Sequence, residues 1–158
     1  MFKPTYTTCR AFLEESNRIE GITTGPFPGQ INRFQSFLEL PKITVATLED
    51  LAHVFQPDAI LRDQPGLDVS VGRYVPPCGG PDIRDRLEAI VSHATNPNSD
   101  PWEIHVAFES LHPFTDCNGR MGRALWAWQM KEFPLLFLHS FYYQTLQHSH
   151  LPPVRGYG

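Results

Sequence analysis

Apolar residues recur at helical spacing along much of the chain. Leu48, Leu51, Ala52 and Phe55 fall at i, i+3, i+4 and i+7, with Thr47 placed to cap the helix they define. Ile83, Leu87, Ile90 and Val91 mark another helix, opened near Gly80-Pro81. Ile104, Ala107, Phe108 and Leu111 give a third apolar face. For that helix Asp100 is the N-cap, Pro101 suits the first helical position and Glu103 completes a capping-box pattern. His112-Pro113 should end it, because the residue before a proline is pushed out of the α region. A loop then runs from Pro113 to Asn118, and a new helix starts near Gly119, with Met121, Ala124, Leu125 and Trp128 on one face and Pro134 as its stop. One segment breaks the helical period: Leu67-Asp68-Val69-Ser70-Val71 alternates strictly, bounded by Gly72 and Pro76-Pro77, which predicts a short hairpin or flap. The pattern as a whole predicts a mostly α domain with one small β element and a frayed tail from His148 to Gly158.

Composition narrows the class. A chain of 158 residues is one domain's worth, and its 15 prolines agree with short helices separated by hard stops. The many aromatic rings exclude a solvated coil. A net charge of −4 argues against a sequence-blind grip on nucleic acid, which needs a basic face. Cys9, Cys78 and Cys117 form no C-x-x-C pair, so they read as thiols in a reducing compartment. The first residues lack the apolar core of a signal peptide, and the most apolar stretch, Phe133 to Tyr143, is too short to span a bilayer. The simplest address is the cytoplasm, with no membrane partner. His148 and His150 hint at a metal only weakly, lying in the expected tail.

The chemistry is concentrated in His112-Pro113-Phe114-Thr115-Asp116-Cys117-Asn118-Gly119-Arg120-Met121-Gly122-Arg123. An imidazole, a carboxylate and two guanidiniums surround a loop that leads into a helix N-terminus. Such a terminus presents unpaired N–H groups and partial positive charge, which suits an anion. Asn118-Gly119 favours an unusual backbone that can form an amide nest. Arg120 and Arg123 share a helix face. Asp116 is a hard oxygen ligand of the kind that holds Mg²⁺ beside phosphates, and His112 is placed to act as a base. The layout is that of phosphoryl or nucleotidyl transfer.

This segment resembles the Fic-family motif H-x-F-x-D/E-G-N-G-R-x-x-R, matching at His112, Phe114, Asp116, Asn118, Gly119, Arg120 and Arg123. It departs at Cys117, where most members have Gly. The resemblance implies a single Fic-type helical bundle, with the Fic core over roughly residues 45–132 and a C-terminal helix and tail over 133–158. It also implies transfer of AMP from ATP, with Mg²⁺ as cofactor, to a Ser, Thr or Tyr hydroxyl of a target protein, self-modification included. His112 would take the hydroxyl proton, and Asp116 would hold Mg²⁺. Asn118, Gly119, Arg120 and Gly122 would contribute to nucleotide binding, and Arg123 would bind the γ-phosphate. Phe114 would plug into the core. Val71, Gly72, Arg73 and Tyr74 would clamp a target segment by strand pairing. Removal of AMP, a Doc-like phosphate transfer and nucleotide binding without turnover remain alternatives for the same residues.

Near the N-terminus, Cys9, Phe12 and Leu13 begin an apolar stripe that continues through Ser16, Ile19 and Glu20. A carboxylate beside a core-facing stripe needs a cation partner unless it faces solvent at the helix end near Gly21. Ser16-Asn17-Arg18-Ile19-Glu20-Gly21 resembles the Fic inhibitory signature S/T-x-x-x-E-G/N, within an inhibitory region spanning about residues 1–24. By that resemblance Glu20 would bind Arg123 and occupy the place of the γ-phosphate, because one guanidinium fork cannot serve both anions.

Overall fold

The computed structural model describes residues 3–133 and 136–147. Seven helices account for most of them: α1 (Tyr6–Ile19), α2 (Pro28–Leu38), α3 (Val45–Phe55), α4 (Pro81–Ala94), α5 (Pro101–Leu111), α6 (Asn118–Met130) and α7 (Leu136–Gln147). The mostly α architecture is as the pattern predicts. Pro134 and the tail, with His148 and His150, lie outside the described residues.

α6 is the axis of the bundle. Every residue from Asn118 to Trp128 is buried, polar ones included, and α1, α2, α3 and α5 pack around it. The sequence shows one apolar face; the opposite face carries Gly119, Arg120, Gly122 and Arg123, which also lie inside. α2, which the sequence reading passes over, starts with Pro28 and buries Ile31, Phe34, Phe37 and Leu38. Phe34 stacks on Phe12 of α1 at 5.2 Å between centroids, fixing α1 against the core.

Two caps differ from expectation. Thr44, not Thr47, is the N-cap of α3; Thr47 is its reciprocal partner three residues on, so that each side chain accepts from the other's N–H. Asp100 caps α5 by accepting from the Trp102 N–H, without a returning bond from Glu103 among the described residues.

The expected hairpin at 67–75 does not form. Residues 67–70 are irregular, and the only pairing there is one bridge between Val71 and Tyr74 across a turn with Gly72 at φ 58°. The alternating segment has no second strand opposite it, and an unpaired strand gains no ladder hydrogen bonds. None of the described helices is long and apolar enough to cross a membrane.

Candidate active site

The motif loop owes its shape to its own side chains. α5 ends at His112, which takes the left-handed conformation of a helix C-terminus (φ 51°, ψ 60°) and not the extended one that a following proline favours. Phe114 is buried beside Phe108. Asn118 braces it twice: its Oδ1 accepts from the Phe114 N–H at 2.9 Å, and its Nδ2 donates to the Phe114 carbonyl at 2.8 Å. The Asn118 side chain is therefore committed to the loop, and only its backbone N–H is left for a ligand. Cys117 is left-handed (φ 61°), as the nest requires. For a non-glycine residue that conformation costs about 1–2 kcal/mol. Its side chain packs in the core, with Sγ 3.9 Å from the Ala52 carbonyl, and burial pushes the thiol up to about 12. The substitution of Cys for Gly thus places a thiol against α3.

The N-terminus of α6 opens onto a cavity of about 560 Å³, lined by His112, Asp116, Gly119, Arg120, Glu20 and Val71 among others. The N–H groups of Asn118, Gly119 and Arg120 have no acceptor among the described residues, while Met121 N–H already bonds Cys117 O at 2.9 Å. This is a ready anion cradle. Arg120 flanks it, donating from Nη1 to the Phe55 carbonyl at 3.1 Å.

His112 is mostly enclosed. Its Nδ1 lies 3.1 Å from the Glu109 carbonyl, which can only accept, so Nδ1 carries the hydrogen and Nε2 keeps its lone pair. Burial pushes its pKa down to about 4 against the upward pull of that hydrogen bond, so the ring is neutral at pH 7. Asp116 is exposed; its Oδ1 accepts from the Cys117 N–H at 2.6 Å, leaving Oδ2 without a partner among the described residues. A single open carboxylate oxygen beside an anion cradle fits Mg²⁺, which takes one or two carboxylates plus phosphates and waters.

Arg123 sits behind the cradle, wholly buried. Its Nε donates to Ser16 Oγ at 2.7 Å, and its Nη2 donates to the Ser16 carbonyl at 3.0 Å and to Glu20 Oε1 at 2.8 Å. Glu20 caps α1, and Gly21 follows at φ 73°, ending the helix there. Gly119 makes this meeting possible, since a Cβ there would fall on Glu20 Oε1.

Gly122 lies elsewhere. It does not line the cavity, and a Cβ on it would fall on the Glu109 carboxylate, so its lack of a side chain lets α6 pack against α5. The expected flap needs a similar correction. Val71 and Tyr74 are buried, their backbone groups bond each other at 2.9 and 3.0 Å, and Tyr74 Oη donates to Ser110 O at 2.7 Å. Gly72 and Arg73 are left exposed at the turn, while Val69, Ser70 and Val71 form a wall of the cavity.

The sequence reading missed Arg62. Fully buried, it donates from Nε to His112 O at 2.7 Å, from Nη2 to Leu111 O at 2.9 Å, and from Nη1 to Leu67 O and Pro77 O at 3.0 Å each. One guanidinium ties the end of α5 to both ends of the turn-bearing segment. A larger groove of about 1200 Å³ lies between α4 and α5, but it carries none of the motif residues.

The chain matches the family model of the Fic/DOC family over residues 38–130. It belongs to that family. Fic domains are commonly transferases, and nucleotide transfer is the coarse activity that membership supports. No solved structure matches the chain. The Fic match takes in the whole of the loop, the cradle and Arg62, whereas Ser16 and Glu20 lie outside it.

Proposed function

We propose that this Fic domain transfers AMP from ATP to a hydroxyl of a protein substrate, and that Glu20 holds it in a resting state. The observation that carries the reading is His112, its Nδ1 held by the Glu109 carbonyl, beside an open amide cradle whose innermost cation is already paired with a carboxylate. The hydroxyl oxygen attacks the α-phosphorus, and the bond from that phosphorus to the bridging oxygen of the β-phosphate breaks. Pyrophosphate leaves, and the hydroxyl proton passes to His112 Nε2. Amides at the start of α6 and the Arg120 guanidinium hold the phosphate charge. Asp116 would hold Mg²⁺, which when bound supplies neutralisation of phosphate charge. Arg123 would take the γ-phosphate once Glu20 leaves it. The cytoplasm remains the expected compartment.

The test is incubation of the chain and a lysate with ATP labelled at the α- or the γ-phosphate. Label from the α position on protein, lost in His112→Ala, is the expected result. Label from the γ position alone would replace the proposal with phosphate transfer. Loss of pre-existing AMP from protein would replace it with removal.

A further inference from the structure

Three buried side chains outside the cavity meet where α5 and α7 pack beside α6. His105 and Glu109 stand one turn apart on α5, hence on one face, and His139 faces them from α7. His105 Nε2 lies 2.7 Å from His139 Nδ1, and His139 Nδ1 lies 3.9 Å from Glu109 Oε1. All three donor atoms fall within 4.8 Å of one another. Neither oxygen of Glu109 has a hydrogen-bond partner among the described residues, although the residue is fully buried. A buried carboxylate in that condition is costly and calls for a cation or a proton.

The orientation of His105 is fixed from behind. Its Nδ1 lies 3.1 Å from the Gly122 carbonyl, so Nδ1 carries the hydrogen and Nε2 presents a lone pair to His139. Metal-ligating imidazoles make this kind of outer hydrogen bond. The rings of Trp102 and Trp126 lie 5.5 and 5.3 Å from the His105 ring and shield it from water.

We propose that His105 Nε2, His139 Nδ1 and the Glu109 carboxylate form a binding site for a divalent transition metal of the zinc type, which would pin α7 to α5. Two imidazoles and one carboxylate suit Zn²⁺, whereas Mg²⁺ and Ca²⁺ take oxygen sets. Donors about 2.0–2.1 Å from a tetrahedral centre sit roughly 3.3 Å apart. The separations of 2.7 and 3.9 Å lie on either side of that value, and the three donor atoms together span no more than 4.8 Å, so side-chain adjustment brings them onto one ion. Burial raises the Glu109 carboxyl well above the usual carboxylate range, so in the metal-free chain it holds a proton that binding releases. His139 must then present Nδ1 bare, its hydrogen carried on Nε2. The neighbouring Arg123 cation opposes the ion, and the newly ionised Glu109 offsets it.

The test uses the untagged full chain, stripped with chelator, given one equivalent of Zn²⁺ and gel-filtered. One retained ion per chain and a raised melting temperature are expected, with binding at least about tenfold weaker in Glu109→Gln and in His139→Ala. The double variant His148→Ala/His150→Ala should bind as the parent does. A wild-type chain that emerges metal-free overturns the site, as does His139→Ala with parental affinity. Should that variant fail to fold, Co²⁺ bound to the wild-type chain decides the matter. The intense visible bands of four-coordinate cobalt support the site, and the pale spectrum of six-coordinate cobalt overturns it.

Discussion

Glu20 Oε1 lies 2.8 Å from Arg123 Nη2, joining the end of α1 to the middle of α6. The pair is asymmetric: the Arg123 side chain is wholly buried, while that of Glu20 is 21% exposed. Water therefore reaches the carboxylate, and Glu20 is the partner able to leave. Removing it should act on stability and activity with opposite signs. Arg123 would keep Ser16 but lose a charged partner, for a loss of about 1–3 kcal/mol with water admitted in its place. Transfer should meanwhile rise at least about tenfold, since about 1.4 kcal/mol of regained γ-phosphate binding supplies that factor. Melting curves and transfer rates of Glu20→Gly check both. The double variant Glu20→Gly/Arg123→Ala should lose the gain, and one as active as Glu20→Gly would remove Arg123 from the account.

The linear motif was legible because its groups are close in the chain. The helix break before Pro113 and a new helix near Gly119 follow from the sequence; the left-handed turns at His112 and Cys117 do not, because His-Pro favours extended backbone and the unusual backbone expected at Asn118-Gly119 falls one residue earlier. Burial was the part the sequence concealed. Two arginines at i, i+3 have the pattern of a solvated face, yet Arg120 and Arg123 are inside, because α1 covers α6 from far along the chain. Arg62 carries no motif signal at all; its four acceptors are backbone carbonyls, which a sequence does not distinguish from any others. His105 and Glu109 did carry a signal, the i, i+4 spacing, hidden by the stronger apolar stripe of the same helix. The alternation at 67–71 misled because period two predicts a strand only where a partner exists.

Acid should destabilise the fold from just below neutrality. Burial holds His105 and His112 down to about 4 and lowers His139 as well, so each is neutral in the folded chain. The unfolded chain binds these protons near pH 6.5. Their stabilising contribution is therefore complete above about pH 6.5 and is lost as pH falls toward 4. Glu109 works in the opposite sense: its raised carboxyl keeps a proton in the metal-free folded chain that the unfolded chain releases above about pH 4.5. Near pH 5.5 the three histidines outweigh the one carboxyl, so unfolding takes up protons on balance and stability should rise with pH. Denaturant titrations of stripped protein between pH 5 and 7 measure it. In Glu109→Gln the slope should steepen by about one proton.

The same depression of His112 should set the pH profile of the proposed transfer. A general base must be unprotonated, so activity should be full at neutrality and fall only as pH drops toward about 4. The acid limb of kcat/KM for the Glu20→Gly protein, corrected for folded fraction, should lie well below 6.5. A limb at 6.5 would mean that His112 is solvated in the active form.

The three thiols should separate by reactivity. Cys9 and Cys117 are buried, and burial pushes them up to about 11 and about 12, while Cys78 is exposed and none is in a disulfide. A thiol-exchange reagent at pH 8 should modify Cys78 alone until the chain unfolds. Cys117→Gly should relieve about 1 kcal/mol of left-handed strain and give up a similar amount of burial, leaving stability nearly unchanged. Transfer should also be unchanged, because Sγ faces Ala52. A large gain in rate would instead show that the thiol crowds the cradle.

Arg62 should matter to catalysis without touching a substrate. Its guanidinium satisfies carbonyls of Leu111 and His112 on one side and of Leu67 and Pro77 on the other. It thus holds the backbone that carries the base and the segment that walls the cavity in one frame. Lysine brings three N–H donors from a single nitrogen and cannot span that fork. Arg62→Lys should therefore leave at least one buried carbonyl unpaired, at a loss of about 1–3 kcal/mol, and Arg62→Ala should lose more. The catalytic signature is a split: kcat of the Arg62→Lys, Glu20→Gly protein should fall about tenfold or more as His112 loses its placement. KM for ATP should hardly change, because the amides of α6 are untouched. Equal losses in both constants would make Arg62 a general structural residue. A parental kcat in a destabilised chain would show that the frame does not set the position of the base.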